Sequence, residues 1–298
     1  MTSVPDIFSK KVVEVYGSRG KAWLDSLPDL IATCSVRWRC AVQAPFDVRG
    51  VNYVAPVNLS NGTEAVLKLC VPGKECEHEI NVLRHYAGRA MCRLLESDAS
   101  IGALLLERVG KGVDLRSIPD ERARVKIAAS LIKNMRLEPQ SSSYPFPGLS
   151  ERYSSLLNAR SRLQGAGLFP SDIVDKVRDE SARLMGTQND TYVLHGDFHH
   201  QNILRFPDGW RLIDPKGVVG EVEYELIPFL MNELPDGDFG TVIDQRIVYF
   251  HEDLAIDIDR TYAWGLCHSL LSCWWNVEDH QDVTDRDIAI VRHFAEKV

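Results

Sequence analysis

No stretch of this 298-residue chain approaches the length of an apolar membrane span, which needs ~20 residues. Basic charge is also short: 34 Lys and Arg stand against 42 Asp and Glu, a net charge of −8. A nucleic-acid partner wants a basic face, so that class is excluded as the main ligand. The seven cysteines (Cys34, Cys40, Cys70, Cys76, Cys92, Cys267 and Cys273) form no C-x-x-C and have no zinc-finger histidines nearby. That argues against a disulfide scaffold or a zinc ribbon, and predicts reduced, buried thiols. From Asp6 to Glu14 charge alternates with apolar residues, so no signal peptide is expected and the location expected is cytoplasmic. There is no internal repeat and no low-complexity tract. What remains is the composition of a soluble globular protein, 45% apolar and 26% charged, too long for one small core. A small-molecule ligand, with no membrane or nucleic acid and a monomer or homodimer as the assembly, is the expectation. The acidic balance suits a cationic molecule.

The pattern along the chain divides in two. Residues 1–30 have the spacing of an amphipathic helix ending near Pro28-Asp29. From Ser35, Val36, Trp38, Cys40 and Val42 alternate with Arg37, Arg39, Ala41 and Gln43, the period of a half-buried strand. Strands at Val51–Leu59 and Ala65–Val71 are joined by Asn61-Gly62, a strong hairpin signal. A helix over Lys74–Tyr86 and an apolar strand over Ala103–Val109 follow. Beyond a hinge at 107–113, Pro119-Asp-Glu opens a helix to about Leu137. A Pro/Ser-rich connection covers 138–148, with helices near 150–163 and 171–185. Strands then pair around Pro207-Asp-Gly209, and everything from Val219 onward has helical character. The expectation is an α+β, protein-kinase-like fold of two lobes: a β-rich N-terminal lobe, 1–109, and a larger helical lobe, 110–298.

The chemistry is concentrated in Thr191-Tyr-Val-Leu-His195-Gly-Asp197-Phe-His-His-Gln-Asn202, followed by Ile213-Asp214-Pro215. A strand delivers Asp197 into a loop, Asn202 follows, and a second strand carries Asp214 to its end. A phosphoryl-transfer site needs these parts: a carboxylate to orient the attacking hydroxyl, and an amide oxygen and second carboxylate as hard ligands for Mg²⁺. Gly196 permits the tight turn beside them. Lys68 lies inside the apolar run Ala65–Val71 and wants an anionic partner if buried. Glu79 on the following helix is the first choice, with Glu75 one turn earlier as the alternative. The two readings of Lys68 are contact with nucleotide phosphates and snorkelling from an edge strand. Leu104–Val109, with Glu107, would offer the adenine edge or a plain buried strand. His195, His199 and His200 also have a zinc-ligand spacing, although that leaves Asn202, Asp214 and Lys68 unexplained. Glu221 and Glu223 open an acidic stretch that is either solvated surface or a lining for a cationic substrate. Trp264, Trp274 and Trp275 are better placed as helix core than as a pocket wall.

Leu194-His-Gly-Asp-Phe-His-His-Gln-Asn-Ile203 and Trp210-Arg-Leu-Ile-Asp-Pro-Lys-Gly-Val-Val-Gly-Glu221 resemble the aminoglycoside phosphotransferase superfamily, in its streptomycin 6-kinase and hydroxyurea kinase branch. The resemblance is strong over 191–225 and extends to Lys68 and Glu79. It implies transfer of the γ-phosphate of ATP, with Mg²⁺, to a hydroxyl of a streptomycin-like or related cationic molecule. Asp197 would be the catalytic base, Asn202 and Asp214 the metal ligands, Lys68 the phosphate contact and Glu79 its partner. The first hairpin, Val51-Asn-Tyr-Val-Ala-Pro-Val57, departs from the protein-kinase pattern in lacking a glycine triplet. Lys216 beside Asp214 is a second departure. A metabolic kinase of the same fold, acting on a sugar or amino alcohol, and a nucleotide-binding module without turnover are the alternatives.

Overall fold

The computed structural model describes residues 6–47, 50–110, 112–135, 145–158, 169–188, 190–278 and 282–298. They fall into two compact units, Met1–Lys111 and Gly112–Val298.

The first unit begins with helix α1, Asp6–Arg37, broken by non-helical backbone at Gly17 and carrying Pro28 in its interior. The sequence expectation of a helix ending at Pro28 and a strand from Ser35 is therefore corrected. Trp23, Leu27 and Cys34 are buried, with Leu24, Leu30 and Ile31 packed against the same core. That apolar stripe runs straight through the proline, and its burial offsets the cost of a Pro in a helix, about 3 kcal/mol. The alternating apolar residues at 36–42 were a coincidence of period: Val36 is exposed, and only Cys40–Val42 forms strand β1.

Strands β2 (Tyr53–Leu59) and β3 (Glu64–Leu69) follow, then helix α2 (Lys74–Tyr86) and strands β4 (Leu94–Asp98) and β5 (Ala103–Glu107). They form an antiparallel sheet in the order β1-β2-β3-β5-β4. The Asn61-Gly62 turn joins β2 to β3 as expected, with Gly62 at φ +85°. Strand β4 was not anticipated, because Leu94-Leu-Glu-Ser-Asp98 has neither alternation nor β-branched residues. Within β3, Ala65, Leu67 and Leu69 enter the core shared with α1. Period two then turns Lys68 to the opposite sheet face, where it meets Glu79 of α2.

The second unit contains helices α3 (Glu121–Met135), α4 (Leu149–Asn158) and α5 (Ser171–Gly186) before the functional loops. Parts of the expected segments, 136–144 and 159–163, lie outside the described residues. Strands β6 (Tyr192–Leu194), β7 (Ile203–Phe206), β8 (Gly209–Leu212) and β9 (Val218–Gly220) come next. The hairpin β7–β8 turns at Pro207-Asp208 as expected. Strand β6 pairs antiparallel with β9, Leu194 opposite Val218, so the helical character expected from Val219 begins only after Gly220. Helices α6 (Val222–Glu225), α7 (Ile227–Met231), α8 (Phe239–Leu254), α9 (Ile258–Glu278) and α10 (Asp285–Ala295) complete the unit. Trp264 and Trp274 are buried in α9, as expected of helix core. All seven cysteines are buried free thiols, and no helix among the described residues is long and apolar enough to cross a membrane.

Gly102, at φ +67°, lies where an added Cβ would stand 2.1 Å from the Cys70 carbonyl oxygen, and its own carbonyl accepts from Cys70 N at 2.9 Å. Gly62 shares the positive φ but has open space around it. Gly62→Ala should cost about 1–2 kcal/mol in urea unfolding, from backbone strain alone. Gly102→Ala should cost about 1–3 kcal/mol more, from overpacking. Equal costs would contradict the close approach of the two backbones.

Candidate active site

Lys68 Nζ lies 2.7 Å from both carboxylate oxygens of Glu79. Each residue is 5% exposed, so this is a desolvated, bidentate ion pair in which each charge satisfies the other. Glu75, the alternative partner, is exposed. Glu107 ends β5 by bracketing Arg93: its N–H donates to Arg93 O at 2.8 Å, and its carboxylate accepts from Arg93 N at 3.1 Å.

In the second unit the loop bearing Asp197 is tied down at every turn. Gly196, at φ +76°, gives the chain its bend, and a Cβ there would crowd Arg152 and Val218. The carboxylate of Glu225 accepts from His195 N at 2.7 Å and from Gly196 N at 2.9 Å. The His195 carbonyl accepts from Lys216 N and Gly217 N, at 2.7 and 3.2 Å. Its imidazole spans two segments: Nδ1 accepts from Asp197 N at 3.2 Å, and Nε2 bonds Ile213 O at 2.8 Å. Since Nδ1 accepts from an amide, the ring is neutral with its proton on Nε2. Burial agrees, pushing the His195 pKa down to about 4.

Asn202 closes the loop by donating Nδ2 to Asp197 O at 2.9 Å and to Asp197 Oδ2 at 3.3 Å. Its backbone carbonyl accepts from Ile213 N at 3.0 Å, which brings Asp214 alongside. Asp214 itself sits at φ +59°, a left-handed conformation that Asp tolerates better than most residues. Lys216 Nζ is 3.2 Å from Asp214 Oδ2. Burial raises the Asp197 pKa, but hydrogen bonding to His199 and the neighbouring His199 and Lys216 groups outweigh it, so the carboxyl is held below its ordinary value. Asp197, Asn202 and Asp214 thus form one cross-linked oxygen-bearing group whose donor chemistry fits Mg²⁺.

The zinc alternative finds no support. His195 is committed at both nitrogens, and His200 stacks on Phe229 at 4.0 Å with Nδ1 at 3.0 Å from Asn232 Oδ1. No group of three His, Cys, Asp or Glu among the described residues is set to hold a metal. Asn232 is in turn fixed by Arg246, fully buried, which donates to the carbonyls of Phe229, Leu230 and Asn232 and to Glu121.

Glu221 is buried, taken up by Arg260 at 2.7 Å and by Trp264 Nε1 at 3.0 Å. Glu223 accepts from Asp257 N at 3.2 Å. The structure thus gives both glutamates internal partners.

Two residues escaped sequence reasoning, Arg152 and His268, and Glu225 was legible only as one of the acidic stretch. Arg152 Nη1 donates to Gly196 O at 3.0 Å and to the Tyr224 hydroxyl at 3.4 Å, and that hydroxyl lies 3.2 Å from His268 Nδ1. Glu225 carried a legible signal, since it is an acidic residue set among Tyr224, Leu226 and Ile227. Arg152 and His268 carried none.

A family model described as aminoglycoside/hydroxyurea antibiotic resistance kinase matches residues 37–280. A hydroxyurea phosphotransferase of Kitasatospora aureofaciens is 33% identical over 284 residues, covering 92% of this chain and 80% of that protein. A streptomycin 6-kinase of Streptomyces griseus is 28% identical over 294 residues, covering 93% and 91%. Among solved structures, a choline kinase from Streptococcus pneumoniae superposes with a TM-score of 0.62 at 12% identity, covering 91% of this chain and 98% of that one. An aminoglycoside phosphotransferase in complex with ADP and hygromycin B gives 0.59 at 15% identity, covering 88% and 97%. The fold is therefore protein-kinase-like.

Burial pushes the Glu225 carboxyl from 4.5 up to about 8, against the pull of the Gly196 and His195 amides and the Arg152 charge. A raised carboxyl pKa favours the folded state below the unfolded value. That contribution is lost as pH rises from about 4.5 through 8. The difference in unfolding free energy between wild type and Glu225→Gln should therefore vary over this window. A constant difference from pH 4.5 to 8 would contradict the assignment.

Proposed function

We propose that this chain, which belongs to the aminoglycoside/hydroxyurea antibiotic resistance kinase family, carries out its phosphotransfer with Asp197 as the residue that receives the acceptor hydroxyl. The observation that carries this reading is the state of Asp197: an ionised carboxylate, fixed by Asn202 Nδ2 at 3.3 Å and cross-linked through His195 to the segment bearing Asp214. A carboxylate kept charged and immobile can accept a hydroxyl proton and hold the oxygen in line with a phosphoryl group.

The donor is ATP in this reading. Lys68, oriented by Glu79, pairs with the α- and β-phosphates, and the backbone from Glu107 onward meets the adenine edge. Asp214 and the Asn202 amide oxygen would hold Mg²⁺, which would supply positive charge to the phosphates. The acceptor oxygen forms its bond to the γ-phosphorus as the bond to the ADP oxygen breaks, and the hydroxyl proton passes to Asp197. Lys216, whose positive charge acts on Asp197, helps to keep that carboxyl ionised until the proton arrives. The relatives' names give two chemically different acceptors, an aminoglycoside and hydroxyurea. We place the acceptor of this chain in that range of small hydroxyl-bearing antibiotics.

Replacing Asp197 by Ala should lower kcat by roughly 10²–10⁴, while calorimetric titration with ADP still shows nucleotide binding. Parallel loss of binding would assign the loop a structural role only. The Lys68→Met, Glu79→Leu pair of substitutions separates stability from function at the other cluster. A buried ion pair exchanged for apolar residues leaves folding close to neutral or improves it by about 1–4 kcal/mol. The melting temperature should hold while the KM for ATP rises. Retained ATP affinity would sink the phosphate role of Lys68.

A further inference from the structure

The carboxylates that the sequence offered to a cationic substrate are engaged elsewhere. Besides Glu221 with Arg260 and Glu223 with Asp257 N, Glu225 holds the loop amides. Glu233 accepts from Gln201, Asp236 pairs with Arg286, and Asp238 caps α8 at Thr241 N. The charge brought next to Asp197 is instead basic. Arg152 reaches the carbonyl of the neighbouring Gly196, and its charge acts on Asp197, as does that of Lys216.

Arg152 also organises a polar relay. Arg152 donates to the Tyr224 oxygen, which lies 3.2 Å from His268 Nδ1; with the Tyr224 proton directed to Nδ1, His268 would carry its own proton on Nε2. Burial and the neighbouring Arg152 charge keep this imidazole neutral, while the Asp197 charge is felt at the ring. Seven residues further along α9 on the same helix face, Trp275 meets His268 edge-on at 5.8 Å, and the Arg152 guanidinium lies 6.0 Å from its ring. Trp274 is buried, whereas Trp275 and Arg152 are half-buried. A cation, an imidazole and an aromatic face are therefore grouped around Arg152, which bonds the residue preceding the proposed catalytic carboxylate.

We propose that Arg152, His268 and Trp275 form the acceptor subsite, and that it takes a small neutral or anionic hydroxyl compound with a hydrogen-bond-accepting oxygen next to the hydroxyl. N-hydroxyamides and α-hydroxy acids are the chemical class. The subsite rests on the phosphotransfer reading above. The acceptor's carbonyl oxygen takes hydrogen bonds from His268 Nε2 and the guanidinium, its plane lies on Trp275, and its hydroxyl reaches Asp197. A polycation would bring like charge to Arg152. The reaction remains a single transfer: the hydroxyl oxygen gains the γ-phosphoryl group, ADP leaves, and the proton goes to Asp197.

The test compares hydroxyurea, acetohydroxamate, glycolate and streptomycin as acceptors for the wild-type protein with ATP and Mg²⁺. Trp275→Leu, at a half-buried position, is the matched variant. The expected result is a kcat/KM for one of the first three at least about tenfold above that for streptomycin. In Trp275→Leu the acceptor KM should rise by up to about tenfold, the worth of one aromatic face, with the KM for ATP unchanged. Preference for streptomycin, or an unchanged acceptor KM in the variant, would overturn the subsite and leave the kinase reading standing. Turnover of no acceptor would overturn the phosphotransfer reading and the subsite with it.

Discussion

The backbone amides of His195 and Gly196 both donate to the one buried carboxylate of Glu225, and the rest of the second unit is arranged around that bond pair. Orphaned backbone donors in an interior cost about 1–3 kcal/mol each, and a buried carboxylate without partners costs more. Each requirement answers the other. The turn at Gly196 can then be sharp, and Asp197 leaves it with no freedom to relax. Arg152 adds a cation on the carbonyl side of the same glycine, so both edges of one peptide are fixed by polar side chains.

From this anchor the order spreads through short bonds. His195 carries it to Ile213, Lys216 and Gly217, Asn202 carries it back to Asp197, and the Arg246–Asn232–His200 chain holds the turn that delivers Asn202. A catalytic group must stay within a fraction of an ångström of its productive position. Neutral imidazoles serve this well. Burial pushes His195, His200 and His268 down to about 4, 3 and 3, so none acquires a charge near neutrality. They act as hydrogen-bonding spacers, and the cost appears in acid: stability present above about 6.5 is lost as pH falls and the unfolded chain takes up protons that these rings refuse.

How much of this was legible depended on whether a residue's role is local. Strands β2, β3 and β5, the Asn61-Gly62 turn and the grouping of Asp197, Asn202 and Asp214 follow from periodicity and spacing. The partner of Lys68 followed too, since a lysine in an apolar strand needs an anion and the next helix offers few. Helix α1 was misjudged because Pro28 and a chance alternation outweighed, on paper, a stripe whose value lies in packing. Strand β4 lacked any local signal. Glu221 and Glu223 read as solvated surface or as a substrate lining, because nothing near them in sequence reveals Arg260 or Asp257. Arg152 bonds Gly196 from 44 residues earlier in the chain, and His268 meets Tyr224 from 44 residues later, distances at which only the folded packing speaks.

The central claim is a single displacement in which Asp197 orients the hydroxyl and no protein group becomes phosphorylated. The most direct measurement is the stereochemical course of transfer from ATP made chiral at the γ-phosphorus, read on the phosphorylated acceptor. One in-line step predicts inversion of configuration. Retention would mean two displacements through a phosphorylated protein group, and would contradict the account.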